Sequence, residues 1–409
     1  MSITGFERAA SRLSARAMPD LDDSQRRVIE LADDASAAVI GAPGTGKSTT
    51  LVEVVADRIL SRGWRPEQVL ALTLSRTTAA SLRDSIALRL EVPTAGPMAR
   101  TVNSLAFEVV RDAARANDAH APRLVTGAEQ DADIAALLQG HIEEGTGPSW
   151  PGALGTEVRG LRHFRTELRE LMMRATEYDI STERLRQLGR ANDRPEWVAA
   201  GDFIDEYLAV VSTTRETQLD SAELARFAVA AIESENPGET VAALRLVVVD
   251  DLQEATESTI AILRALAKRG VALIAFGDPD VAVNAFRGGE PDSLGRLATE
   301  LGVPCQTLVL STAHRQGPAL RALTLAVTSR IGASAAGRQR EAAAGAEDAG
   351  HPISSIASTT PAREWAAIAR ELREQHLRRG TAWRDMAVVV RSGAQIPVLA
   401  RSLAHAEVP

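Results

Sequence analysis

With 409 residues the chain has room for two or three domains and a sizeable core, which excludes a small scaffold dependent on covalent staples. Its single cysteine, Cys305, excludes an intrachain disulfide framework or a multi-cysteine metal site and fits a reducing, cytoplasmic setting. The net charge of −8 excludes a polycation that coats nucleic acid without selectivity, so any nucleic-acid site must be local.

Residues 1–21 carry scattered arginines but no continuous apolar stretch like that of a secretory signal, and no apolar run approaches the roughly 18 residues of a membrane span. The chain therefore reads as soluble, not exported and without a membrane partner. From 37 onwards, short apolar runs rich in β-branched residues alternate with longer amphipathic ones, the pattern of a mainly parallel sheet covered by helices. The predicted strands are 37–40, 69–74, 246–249, 271–276, 307–310 and 386–390, and helices follow most of them. Between about 108 and 218 the strand signals vanish and the sequence turns helical, charged and loop-broken, with 145–152 as its clearest loop. That stretch reads as a helical domain inserted in an α/β domain. Residues 332–350 are nearly all Gly, Ala and charged, without apolar periodicity, and read as a mobile surface loop or linker. Helices over 363–379 and 396–404 flank the last predicted strand.

Gly41-Ala42-Pro43-Gly44-Thr45-Gly46-Lys47-Ser48 matches G-x-x-x-x-G-K-[ST] between a predicted strand and a helix, the setting this motif requires. Its glycines let the backbone aim successive amides and the helix N-terminus, with Thr49 in the first turn, at phosphate oxygens. Lys47 would reach the β- and γ-phosphates and the Ser48 hydroxyl would ligate Mg²⁺, so ATP and Mg²⁺ are the expected cofactors. Of the 46 basic residues only Lys47 and Lys268 are lysines. With lysine that rare, a chance match in a glycine-containing turn carries negligible weight.

Such a loop needs a carboxylate on a neighbouring strand to hold Mg²⁺ and, beside it, a base or water-positioning group. Leu246-Val247-Val248-Val249-Asp250-Asp251-Leu252-Gln253 supplies a hydrophobic strand ending in two acids. Asp250 is the metal-side candidate and Asp251 the candidate base. A strand-end turn with a helix N-cap would use Asp equally well, but pairing with the loop at 41–48 favours the catalytic reading.

The order of these motifs resembles superfamily 1 helicases of the UvrD type. Leu21-Asp22-Asp23-Ser24-Gln25 stands where that family has its adenine-reading glutamine. Ala71-Leu72-Thr73-Leu74-Ser75-Arg76-Thr77-Thr78-Ala79-Ala80 resembles T-F-T-N-K-A-A, and Thr101-Val102-Asn103-Ser104-Leu105-Ala106 resembles T-F-H-G-L-A. Both line the single-strand DNA track in the family, which implies DNA contacts at Thr73, Ser75, Arg76, Thr101 and Asn103. Asp250 to Gln253 aligns with D-E-x-Q and adds Gln253 to the nucleotide site. Gly277-Asp278-Pro279-Asp280 with Phe286-Arg287-Gly288 resembles G-D-x-D-Q…W/F-R-G, implying DNA contact by Phe286 and Arg287. His314-Arg315 resembles N-Y-R-S, whose arginine reaches the γ-phosphate from the second motor domain.

The arginine-rich style and the pattern of departures resemble most the AdnA subunit of the actinobacterial AdnAB helicase-nucleases. That resemblance implies P-loop RecA-like parallel-sheet motor domains: a first one at 1–106 and 219–302, a helical insert at 107–218, and a second from 303 onwards, with ATP between the two. It also implies 3′–5′ movement on single-stranded and duplex-end DNA, an AdnB-like partner subunit, a nuclease domain beyond this chain, and work at double-strand breaks in recombination repair. The sequence stops before the family's motifs V and VI, so the second motor domain is expected to be incomplete and the chain to be part of a longer polypeptide.

Several departures fall on chemistry. Asp251 replaces the family's glutamate, drawing the carboxylate back by one methylene, and a base must come within about 2.6–3.2 Å of its water. Val281 stands in place of a glutamine, Asn284 in place of an aromatic and Leu74 in place of a phenylalanine. Base stacking contributes roughly 1–3 kcal/mol per base, so two lost platforms predict a weaker grip on single strands. Phe286 also suits ordinary core packing, and Arg287 and Arg315 also suit solvated or ion-paired arginines. Arg159, Arg162, His163, Arg165, Arg169 and Arg174 could track phosphates, but Glu157, Glu167 and Glu170 interleave with them as on a self-paired helix face. Beside a DNA motor, the sequence admits a subunit that keeps the motor fold with little or no hydrolysis. A transporter-type or AAA-type P-loop ATPase is disfavoured by the matches at 71–80, 101–106 and 314–315.

Overall fold

The computed structural model describes residues 20–409 apart from 95, 118–121, 215–217, 284–287, 333 and 349–351. The described residues form two compact units, one up to Glu347 and one from Asp348.

The strands of the first unit are β1 (Ser36–Ile40), β2 (Val69–Thr73), β3 (Ala99–Thr101), β4 (Arg123–Leu124), β5 (Gln218–Leu219), β6 (Leu246–Val249), β7 (Ala272–Gly277), β8 (Cys305–Val309), β9 (Thr312–Ala313) and β10 (Ala343–Ala344). Six of them make one sheet in the order β3-β2-β6-β7-β1-β8, with every pairing parallel. A parallel sheet is covered on both faces, so its inner strands read as unbroken apolar runs; β1, β2, β6 and β7 are buried along their whole length. Alternate residues feed two cores. Ile40, Leu72, Val247, Val249 and Leu273 pack with Leu105, Leu224 and Leu263 on one side, and Val39, Ala71, Val248, Ile274 and Phe276 pack with Leu51, Val54 and Ile86 on the other. Each fully buried Leu, Ile or Val contributes roughly 1.5–3 kcal/mol, so these two faces hold the sheet. The α/β class with a parallel sheet is the one the sequence predicts.

Between β3 and β6 the chain is mainly helical, with helices Val102–Ala116, Gly127–Glu144, Arg162–Glu177, Thr182–Ala191, Pro195–Thr214 and Ser221–Glu233. Ile134, Leu138, Leu168, Met172, Leu185, Phe203 and Tyr207 form a third apolar cluster, separate from the two sheet cores. A two-residue parallel ladder, β4 with β5, joins the flanks of this stretch, a small strand pair in a region whose sequence gives no strand signal.

Three expectations change. Residues 305–309 do not open a second sheet at 303: β8 pairs with β1 from Ser36–Cys305 to Ile40–Val309, and the Leu310 amide donates to the Ile40 carbonyl at 2.9 Å. On the side away from β7, β1 has the amides and carbonyls that a further parallel strand needs, and β8 takes them. Residues 332–350 are not a plain loop, because Ser334–Glu341 is a 3₁₀ helix and β10 pairs with β9. Polar anchors fix it: the buried Arg321 guanidinium donates to the carbonyls of Arg340 at 2.8 Å and Ala342 at 3.0 Å. In the second unit the helices Pro361–Arg379 and Ile396–His405 form, but 386–390 is not a strand. Met386 is extended, yet among the described residues from 348 onwards there is no strand for it to pair with, and Val389 is 93% exposed.

Candidate active site

The parallel strands bring their C-terminal ends to one edge of the sheet, where ligands bind in open α/β folds. β1 runs into the loop 41–46, in which Gly44 (φ 86°) and Gly46 (φ 80°) take left-handed backbone that side-chain-bearing residues resist. Gly46 is the N-cap of the helix Lys47–Ala56. The Gly41 amide donates to the Gly277 carbonyl at 3.1 Å, prolonging the β1–β7 ladder, and the Thr45 hydroxyl donates to the Ala42 carbonyl at 2.8 Å. The ammonium of Lys47 donates to the carbonyls of Gly41 at 2.7 Å and Ala42 at 3.3 Å, which folds it back over the loop. Burial draws Lys47 below the ordinary lysine value, while Asp278, Asp251 and Asp250 pull it back up. Pro43 is half-buried, and Ser48 and Thr49 are exposed in the first helical turn.

Gln25 is 2% exposed and belongs to a capping box. Its side-chain Oε1 accepts from the Asp22 backbone amide at 3.0 Å and its backbone N–H donates to the Asp22 carboxylate at 2.9 Å. Its side-chain nitrogen donates to the Thr50 hydroxyl at 3.1 Å, and Thr50 in turn donates to the Gly46 carbonyl at 2.9 Å. A Cβ on Gly46 would stand 2.4 Å from Gln25 Nε2. The glutamine thus lies directly against the loop, and Thr50, unmarked in the sequence, anchors it.

The two acids separate by environment. Asp250 Oδ2 accepts from the Ser48 hydroxyl at 3.2 Å and Oδ1 from the Asp251 amide at 3.1 Å. Burial, and then the neighbouring Asp251 charge, push Asp250 up to about 6. Asp251 has φ 56°, a left-handed conformation for which Asp is among the better side-chain-bearing residues. Its Oδ1 accepts from Gln253 Nε2 at 3.2 Å, while Gln253 Oε1 accepts from the Asp278 amide at 3.1 Å. Asp278, at the end of β7, is 1% exposed, and burial raises its carboxyl above the usual range. The sequence gives Asp278 no role beyond its motif. A second apolar strand ending in an acid was the available signal.

Two hard oxygen donors side by side, Ser48 Oγ and Asp250 Oδ2, suit Mg²⁺, which takes one or two protein oxygens and keeps its remaining positions for water and phosphate. The glycine loop, the helix N-terminus and a half-buried ammonium suit the phosphates themselves. The residues present therefore fit ATP·Mg²⁺.

The segment after β8 is fixed to this loop. The His314 amide donates to the Gly44 carbonyl at 2.9 Å, the His314 ring lies 3.2 Å from the Asp22 carboxylate, and a Cβ on Gly44 would lie 3.8 Å from Arg315 Cβ. Arg315 is exposed beside the loop. On the same edge of the sheet Ser75 caps the helix Arg76–Leu90 and Thr101 caps Val102–Ala116. Ser75, Arg76 and Asn103 are exposed, whereas Thr73 is buried and donates to the Ser75 carbonyl at 3.0 Å, so its hydroxyl shapes the turn. Phe286 and Arg287 lie outside the described residues. In the helical stretch Arg165 pairs with Asp131 and Arg169 donates to the Gly127 carbonyl, so these two are spent on internal contacts.

Residues 21–301 match the family model described as UvrD/REP helicase N-terminal domain. No curated protein matches the chain.

Proposed function

The chain belongs to the UvrD/Rep helicase family of ATP-using, DNA-binding motors, and on that premise we propose that it is a 3′–5′ translocase subunit like AdnA, acting on single-stranded and duplex-end DNA beside an AdnB-like partner. In this reading it serves a heterodimeric helicase-nuclease that processes double-strand breaks, with the nuclease outside residues 1–409. The observation that carries the motor reading is the Ser48–Asp250 contact beside Lys47.

Lys47, the loop amides and the first helical turn hold phosphate charge. Ser48 and Asp250 hold Mg²⁺, which when bound neutralises phosphate oxygens. Gln253 keeps the Asp251 carboxylate in place, so that Asp251 orients a water and takes its proton. Arg315 supplies positive charge from the segment after β8. Gln25 uses one amide hydrogen and one carbonyl lone pair internally, leaving the second of each for a purine edge. Ser75, Arg76, Thr101 and Asn103 line the edge at which a single strand is gripped. We assign 1–106 and 219–302 to the first motor domain and 107–218 to the insert; since β8 belongs to the first sheet, we move the start of the second motor domain beyond Val309.

A second reading, a subunit that binds nucleotide with little turnover, is favoured by one observation: the short Asp251 side chain is tied to Gln253. The test is single-strand-stimulated ATP hydrolysis with a catalytically dead partner. DNA-stimulated turnover supports the motor, nucleotide binding without turnover supports the second reading, and absence of nucleotide binding refutes both.

A further inference from the structure

Gln339 and Arg340, in the segment after Arg315, lie outside every motif, yet they clasp Asp280, the last residue of the motif at 277–280. Arg340 Nε donates to Asp280 Oδ2 at 2.8 Å and its Nη2 donates to Oδ1, while Gln339 Nε2 donates to Oδ2 at 3.0 Å. Both partners are sheltered, with side-chain exposures of 11% for Arg340 and 4% for Asp280. A bidentate guanidinium–carboxylate pair in that setting fixes geometry in two directions, not one. The clasp stands against the phosphate-binding loop: Ala42, Pro43, Asp278, Arg321 and Arg340 together line a cavity of about 30 Å³.

From Asp280 the bonds run on without a break. The Asp280 amide donates to Asp278 Oδ1 at 3.0 Å, the Asp278 amide donates to Gln253 Oε1 at 3.1 Å, and Gln253 Nε2 donates to Asp251 Oδ1 at 3.2 Å. At the other end, Arg321 grips the Arg340 carbonyl and also donates to Gln316 Oε1 at 3.3 Å, next to Arg315. We propose that Arg340 is a positioning residue for the Asp251 carboxylate, acting through Asp280, Asp278 and Gln253, and that it ties that carboxylate to the segment carrying Arg315. The inference rests on the reading of Asp251 as the water-orienting group. Asp251 is a short side chain in a left-handed turn, so few of its own degrees of freedom set where its oxygens lie. The backbone and Gln253 set it instead, and both are anchored on the 278–280 turn that Arg340 clamps.

Two readouts on the full chain test this. Hydrogen exchange without nucleotide reads the link itself: Arg340→Ala should speed exchange of the Asp278 and Asp280 amides, the two donors of the chain of bonds, by about tenfold or more, with β1 within about twofold. DNA-stimulated ATP hydrolysis reads its consequence: kcat should fall about tenfold with KM for ATP within about twofold, because a displaced water-orienting group costs turnover and not binding. Should Arg340→Ala leave the sheltered Asp280 without its counter-charge and so unfold the chain, the charge-neutral pair Asp280→Asn/Arg340→Gln removes both charges together and should show the same kcat loss. Unaltered exchange of the Asp278 and Asp280 amides overturns the inference whatever the turnover. Altered exchange with unaltered kcat also overturns it. A wild-type chain without turnover refutes the hydrolytic reading alone, and the exchange result then decides the link.

Discussion

Replacing Gly46 by alanine separates two effects that the phosphate-binding loop combines. At φ 80° a Cβ-bearing residue pays about 1–2 kcal/mol for left-handed backbone. The new methyl would also stand 2.4 Å from Gln25 Nε2, closer than atoms can approach, so the Gln25 amide must leave. Its bonds to Thr50 and to the Asp22 amide then go, each with a net contribution of about 1 kcal/mol. Gly46→Ala should therefore destabilise the chain by roughly 3 kcal/mol. Gln25→Ala alone removes the same two bonds and should cost about 2 kcal/mol. Once Gln25 is alanine the methyl meets no amide, so only the backbone strain remains, and the double variant should be about 1.5–2 kcal/mol more stable than the two singles added. Urea unfolding of the four chains gives the cycle, and titration with a fluorescent ATP analogue follows the loop. Additivity within about 0.5 kcal/mol would refute the packing of Gln25 on Gly46 as the origin of the effect.

Lys47→Ala is expected to abolish ATP binding in the same titration; unchanged affinity would remove the basis for placing phosphate at this loop. Asp251→Glu with Val281→Gln should raise DNA-stimulated turnover, with a stability loss of no more than about 1–2 kcal/mol from a longer side chain at φ 56°; wild-type hydrolysis already at helicase-like rates would contradict the idea that the shorter Asp251 carboxylate slows the reaction. Asp250, pushed up to about 6, holds its proton more tightly in the fold than in the unfolded chain. Without metal, stability should accordingly fall as pH rises from about 4 to about 6, while Mg²⁺-dependent nucleotide binding should weaken about tenfold for each pH unit below 6. Asp250→Asn should flatten the stability profile over that window, and an unaltered profile would place the titration on another group.

The loop at 41–48 was legible because its chemistry is local: only glycine suits Gly44 and Gly46, and a lysine survives where nearly every other basic residue is arginine. The strands β1, β6 and β7 were legible because burial on both faces leaves unbroken apolar runs. β3 was not, since three residues carry no periodicity and take their conformation from β2. The stretch 386–390 misled for the opposite reason, having the composition of a strand without a neighbour to pair with. Arg340 was invisible because a single arginine in a Gly/Ala-rich run has no pattern; its role comes from Asp280, sixty positions earlier in the chain. The second role of Gln25, holding Thr50 against the loop, likewise depends on residues that meet only in the fold.

The order of the sheet also governs how the chain is made. β1 lies between β7 and β8, and its register partners, Ile274 for Ala37 and Cys305 for Ser36, leave the ribosome long after it does. At about 5–20 residues per second, β1 waits roughly 10–50 s for the first of them. During that interval Val39 and Ile40, destined for opposite cores, have no sheet to enter. The residues emerging meanwhile carry the apolar cluster around Phe203, whose members all lie between Ile134 and Val211 and so need no later strand. Synthesis thus leaves the phosphate-binding loop among the last parts to acquire its shape, because Gly41 is held by Gly277 and Gly44 by His314.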